Sequence, residues 1–297
     1  MTQFVSSPGY LPNLKAQYDA QIAFLKKYDL IRTLSDGSFG YEYTDSTGKK
    51  SDFKAPSYTE IFSRIVNHPE IYRVKAQQGF IKLHIVPVGL PTTIFIKVLG
   101  KKLKELRDQG RLLISDGVSV IKIKKLDVDN PVSTPSPEYW DQPSVRYEGR
   151  TLDDLVSKTK GFSVLLVEGD LHIPRANDPT NVPKFGRKRL EARLSGIKYL
   201  EILSKEPEYR HERGINQKEV AAIILESLDS TRVIPFDLVL PKNSSTFLGA
   251  VEPEIGQLGD ACWTDMRSCV SLSANYSDDF IYLRGFLPAV EILANPN

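Results

Sequence analysis

Asp260–Phe286 reads DACWTDMRSCVSLSANYSDDFIYLRGF. The stretch is rich in Ser, Asp, Asn, Tyr and Thr, yet holds neither Lys nor Glu, and the longer run 255–290 lacks both as well. At the chain's own usage of the two residues about five would fall in that run, and a fixed window of this length would lack both less than about one time in a hundred. Trp263 is the large apolar residue of the stretch and is expected in a core.

The rest of the 297-residue chain is ordinary in bulk. With 41% hydrophobic and 26% charged residues it has the composition of a folded protein of one large or two modest domains. A formal net charge of +2 gives no field to attract nucleic acid. No apolar run reaches membrane-spanning length, so no membrane insertion is expected. MTQFVSSPGYLPN at the start lacks a basic segment followed by an apolar one, so Sec-type export is not expected, and location stays open between cytoplasm, virion and another export route. Cys262 and Cys269 are the two cysteines. Reduced thiols are the expectation, with a bridge between two cysteines this close in sequence as the alternative.

Working back from the stretch, residues from Phe236 onward read as short strands and long polar loops. NQKEVAAIILESLDSTR and SGIKYLEILSKEP have the spacing of amphipathic helices, and FSVLLVEG is a buried strand. Residues 126–150, rich in Pro, form a long connection. RLLIS and VSVIKIKKL flank a turn at Asp116-Gly117. PTTIFIKVLGKKLKELRDQG is a helix ending at Gly, and FIKLHIVPV an alternating strand. Upstream, Ser57-Tyr58-Thr59-Glu60 is a capping box, Pro69 opens a second short helix, and Leu14, Tyr18, Ile22 and Leu25 recur at helical spacing. Turns are expected around Asp36-Gly37 and in Gly40–Gly48. Helices, a strand–helix mixture, two helices and a β end make an α+β chain rather than a repeating βαβ one. The expected division is a mostly helical N-terminal region, 1–78, and a second domain, 79–297.

Signs of chemistry are sparse. His68, His84, His172 and His211 are far apart and make no metal-ligand spacing, and the nucleophile-elbow, dinucleotide and phosphate-loop motifs are absent. No catalytic residue, metal or cofactor is expected. Glu168–Pro179, EGDLHIPRANDP, places an acid, a His and an Arg together after a strand, but reads better as a loop satisfying its own backbone. GRKRLEAR, Gly186–Arg193, offers charge for phosphates, yet reads better as a solvated helix face.

A codon of the form AAC or AAT whose adenines are replaced can encode Asn, Ser, Asp, Tyr, Thr and other residues, but never Lys, Glu, Gln, Met or Trp. From Thr264 to Arg284 every residue but Met266 lies in the reachable set. An aromatic- and Ser-rich turn region of ordinary origin is the plain alternative.

The C-terminal half also resembles the variable proteins of diversity-generating retroelements, of the type found in phages, archaeal viruses and small-genome bacteria and archaea. The resemblance runs from about Pro137 to Val290. It rests on PEYW, GFSVLLVEGDLHIPR, GRKRLEA, YLEIL and INQKEVAAIILESL, then on Phe247-Leu248-Gly249 leading to Trp263, Leu272 nine residues on, Gly285 twenty-two on, and a close at Ala289-Val290. Two residues depart from the pattern: Arg284 precedes the glycine of Gly285-Phe286-Leu287, where the family places an Arg after it, and Met266 is unreachable from a mutated Asn codon.

The resemblance implies a C-type lectin fold over 79–297, with a variable segment at about 261–287 in its last strands and loops. Its scaffold would be Trp263, Leu272, Gly285 and Phe286. Its exposed, variable ligand-binding residues would be Thr264, Asp265, Arg267, Ser268, Ser271, Ser273, Asn275, Tyr276, Asp278, Asp279, Phe280, Tyr282 and Arg284. Tyr and Phe would anchor a ligand, expected to be protein, while the small polar residues tune fit, the division of labour of an antibody paratope. The alternatives are an enzyme of the formylglycine-generating type, with Cys262 and Cys269 as its cysteines, and a structural virion or surface component with one fixed partner. The ligand and the oligomeric state are not legible.

Overall fold

The computed structural model describes residues 8–115, 120–134, 139–142, 145–147, 150–171, 173–174, 177–192, 194–235, 245–252, 257–264, 268–276 and 284–292, with backbone alone at 115, 139, 146–147, 245–252, 257–260, 264, 273–276 and 284–286. Helix α1 (Leu14–Lys27) leads into an antiparallel meander, β1 (Arg32–Thr33), β2 (Phe39–Thr44) and β3 (Lys50–Lys54). Gly37 and Gly48 supply the positive φ, 81° and 85°, at its two turns. Helix α2 (Tyr58–Asn67) opens on the capping box: Glu60 N–H donates to Ser57 Oγ at 3.2 Å while Ser57 N–H donates to the Glu60 carboxylate at 2.7 Å. Helix α3 (Pro69–Gln77) starts with its proline in the first turn and stops before Gly79, at φ 109°.

The chain then enters its main sheet with β4 (Phe80–Pro87) and leaves by α4 (Thr92–Asp108). β5 (Leu113–Ser115) and β6 (Val120–Lys122) pair antiparallel, and β7 (Val132–Ser133) and β8 (Arg146–Tyr147) are two-residue strands in the long connection. After α5 (Leu152–Lys158) comes β9 (Phe162–Glu168), buried at every position. Helix α6 (Gly196–Lys205), β10 (Glu212–Gly214), α7 (Gln217–Ser230), β11 (Val233–Ile234), β12 (Ser245–Glu252), β13 (Gln257–Thr264), β14 (Cys269–Tyr276), β15 (Arg284–Phe286) and β16 (Pro288–Glu291) complete the order.

The main sheet is antiparallel throughout, in the order β10-β16-β9-β4. A second sheet runs β15-β12-β13-β14-β7, with β8 alongside β12. β4 is the outer strand of the main sheet, and its edge is closed by a helix. Gln17 and Gln21, one turn apart on α1, accept the N–H groups of Leu83 and Ile85 at 2.8 and 3.1 Å. The helical spacing of 4 thus meets the strand spacing of 2, and donors that would otherwise invite another strand are satisfied.

The chain is α+β. One buried apolar cluster runs from Leu11 and Leu14 to Val290 and Ile292, and spans position 79 without a break. Helix α7 touches β4 and also β13, so it lies between the two sheets. This corrects the amphipathic reading of that segment. Gln217, Lys218 and Glu219 are buried along with Val220–Leu225. Helical spacing could not show this, because the charged residues are held inside by partners far along the chain. Lys218 Nζ donates to Val88 O at 2.8 Å and lies 2.7 Å from Asp141 Oδ1. The C-terminal end differs as well: β12, β13 and β14 run eight residues each instead of a few. Pairing on the neighbouring strands sustains them where their Gly, Ser and Asn have little strand preference of their own.

Candidate binding surface

β13 and β14 form an antiparallel hairpin in register from Gln257↔Tyr276 to Thr264↔Cys269. Strand alternation divides it into two faces. Ala261 and Trp263 are buried, as are Leu272 and Val270, their register partners across the ladder. Between them the pair Cys262↔Ser271 is partly exposed. Ser271, Ser273 and Asn275 share one register parity of β14, and Tyr276 shares that of Val270 and Leu272.

The hairpin is held from outside too. β7 pairs parallel with β14 at Val270↔Val132 and Ser271↔Ser133, so β14 has a neighbour on each side. Val270 N–H also donates to Pro131 O at 3.1 Å. Ser268, in the turn before β14, adopts φ 51° and accepts Asp127 N–H at 2.9 Å. Arg284, Gly285 and Phe286 form β15, parallel to β12 in the register Ser245↔Arg284 to Phe247↔Phe286. Asp265, Arg267, Asp278, Asp279, Phe280 and Tyr282 lie outside the described residues, as does Met266. Thr264, Ser273, Asn275, Tyr276, Arg284, Gly285 and Phe286 are placed by backbone.

Cys262 and Cys269 form no disulfide. Cys262 stands opposite Ser271 and Cys269 opposite Thr264, which makes the cysteines diagonal neighbours on one face. Diagonal positions are about 7–8 Å apart, beyond the reach of a bridge without backbone movement.

The run Gly186–Arg193 corrects the sequence reading. Arg187 is not on a solvated helix face; its side chain is 1% exposed, in a turn. Its Nε and Nη2 grip the Glu212 carboxylate at 2.7 and 2.8 Å, and its Nη1 lies 2.8 Å from Glu168 Oε1. Lys75 from α3 adds a 2.6 Å contact to Glu212 Oε1, and Arg189 pairs with Glu168. The Arg187 guanidinium stacks over Phe80 at 4.8 Å and Tyr209 at 5.4 Å. Burial works against its charge, but the two carboxylates outweigh it and raise its pKa above the ordinary value. The loop expected to satisfy only its own backbone therefore sends Glu168 into a shared cluster; its His172 and Arg175 lie outside the described residues. Local spacing could not reveal the cluster, since its members come from α3, the end of β9, the 187–189 segment and the start of β10.

A second buried pair closes the base of α7. Arg213 grips Glu219 in bidentate fashion at 2.7 and 2.9 Å, Ser163 Oγ donates to Glu219 at 2.6 Å, and Asn216 N–H donates to it at 2.8 Å. Burial opposes the Glu219 charge, yet Arg213, Ser163 and Asn216 together hold its pKa below the ordinary carboxylate value.

Among the described residues no three His, Cys, Asp or Glu side chains converge as a metal site requires, and no helix is long and apolar enough to cross a membrane. The chain matches no family model, no curated protein and no solved structure.

Proposed function

We propose that the protein is a ligand-binding display protein whose C-terminal surface is rewritten by a diversity-generating retroelement, on a C-type lectin fold spanning 79–297. The observation that carries this reading is the division of the β13–β14 hairpin. Ala261, Trp263, Val270 and Leu272 are core on one face, while on the other Cys262 and Ser271 are partly exposed beside a buried Cys269. A rigid buried face beside a wetter one is what a surface needs if its residues are to change while its backbone stays put. The course of the chain supports the fold. After β9 it passes through α6, α7 and the hairpin sheet and returns as β16 against β9, so the last strands belong to one excursion from a closed base. The missing Lys and Glu fit adenine-directed rewriting and also remove long side chains that are costly to immobilise at an interface.

The test is genetic and then biochemical. A near-copy of the coding sequence for 264–284, with adenines at the differing positions and a reverse transcriptase gene beside it, is the expected finding. Sequenced variants of one lineage should differ at codons 264–284 and bind different protein targets. Variants without adenine-directed differences in those codons would overturn the reading.

A further inference from the structure

A groove of about 650 Å³ lies between α4 and the segment 129–134, which contains β7. Its two walls meet at Gly100, buried in the middle of α4, where an added Cβ would come within 3.1 Å of Pro131 Cγ. Around that contact Lys97, Lys101 and Lys104 line the groove, the first two exposed and the third half-buried. Asp129 is the one acid of the lining, so cations outnumber it three to one.

These lysines are not committed elsewhere. Among the described residues no carboxylate pairs with any of the three, whereas Lys102 on the same helix reaches Glu105 at 3.1 Å and Asp229 at 3.6 Å. Like charges at i and i+4, as at Lys97 and Lys101, weaken a helix. The row thus costs α4 a little, and a partner's negative charge would reverse the sign.

The spacing selects the partner. At 1.5 Å per residue, Lys97 and Lys101 stand about 6 Å apart along the helix and Lys104 about 4.5 Å further on. Alternate residues of an extended peptide put their side chains on one side about 6.7 Å apart, and the flexible lysine stems absorb the difference. Carboxylates at such positions meet the three ammonium groups in turn. Nucleic acid fits less well. No aromatic ring lines the groove for a base to stack on, and no Arg is there to grip a phosphate with its fork.

We propose that this groove binds an extended acidic segment of a partner protein, with carboxylates at alternate positions against Lys97, Lys101 and Lys104. The proposal is independent of the display reading, because no residue of 255–290 lines the groove.

The probe is an end-blocked peptide Glu-Thr-Glu-Thr-Glu-Thr, titrated into the full chain and followed by NMR at the α4 amides. Saturable binding is expected, weakening as salt is raised. The peptide Glu-Glu-Glu-Thr-Thr-Thr has the same composition and charge without the spacing, and should bind about threefold more weakly. Lys101→Glu should weaken the alternating peptide about tenfold without lowering the thermal midpoint, since it replaces a like-charge pair on α4 by an opposite one. Lys49→Glu, in the β2–β3 turn, changes net charge equally and should leave affinity unchanged. Absence of saturable binding, equal affinity for the two peptides, or equal affinity in wild type and Lys101→Glu would each overturn the proposal. Tighter binding of tetrathymidylate, which carries the same charge, would overturn it in favour of nucleic acid.

Discussion

Around Arg187, side chains of Lys75, Glu168, Arg189 and Glu212 meet largely out of water, each satisfied by a partner from another segment. Along the β13–β14 hairpin the described side chains, Ala261–Trp263 and Ser268–Leu272, are apolar or small and neutral, while Asp260 on β13 is placed by backbone and Asp265 and Arg267 lie outside the described residues. The first arrangement tolerates little change at its centre, because Arg187 is the one member that contacts both buried carboxylates. The second asks only that its buried positions, Ala261, Trp263, Cys269, Val270 and Leu272, stay apolar. A protein that diversifies part of its surface would place change in a region of the second kind and anchor that region with the first.

The sharpest way to test the contrast is to break the cluster. Arg187→Ala leaves Glu212 with Lys75 alone and Glu168 with the less buried Arg189 alone, and empties the space beside Phe80 and Tyr209, so a loss of about 3–5 kcal/mol in unfolding free energy is expected. Denaturant unfolding measures it. A loss under about 1 kcal/mol would mean that the two regions are equally permissive.

On the hairpin's buried face, Leu272→Ala should cost about 3 kcal/mol through lost contact and the cavity left behind. Leu272 is wholly buried, opposite Ala261, which is too small to fill the gap.

The Glu219 pair extends the comparison to pH. Glu219→Gln keeps the shape and removes the charge that Arg213 and Asn216 bind, so the variant should be about 2 kcal/mol less stable near neutral pH. The folded-state pKa of Glu219 lies below the ordinary 4.5. Its ionised form therefore stabilises the fold fully above that value, and the contribution is lost as pH falls below it. The gap between wild type and variant should narrow on acidification from pH 5 to pH 3, read from urea midpoints. A gap that stays constant would show that the pair owes its effect to packing.

Much of the framework was legible in the sequence, and the two regions show why the remainder was not. Strand β9 announces itself as a continuous apolar run because it is buried on both faces, and the capping box of α2 is four residues of local chemistry. The Arg187 cluster is invisible to any window, since Lys75 and Glu212 are brought together only by the fold. Helix α7 misled for the same reason: Lys218 and Glu219 look like surface residues until Asp141 and Arg213 arrive. The hairpin was legible in a different sense. Trp263 stood out as a large apolar residue in a polar stretch and Leu272 as a position of the family resemblance, but nothing in Ser, Asn and Gly predicts eight-residue strands that depend on pairing for their length. Gln17 and Gln21 on α1 gave no signal either, because their partners are N–H groups of a strand edge some sixty residues away. Gln21→Ala should cost about 1 kcal/mol and raise exchange at the Ile85 amide.

The smallest expected effect bears most on the proposed function. Ser271 lies between buried Val270 and Leu272, partly exposed, with its backbone fixed by Cys262 on one side and Ser133 on the other. Ser271→Asn should shift unfolding free energy by no more than about 0.5 kcal/mol, and Ser271→Tyr should do the same if the face has room for an aromatic anchor. Both are residues that adenine-directed rewriting can install. If either variant loses more than about 2 kcal/mol, the outer face of β14 is packed, and the contrast with the Arg187 cluster disappears at the position where a display surface most needs it.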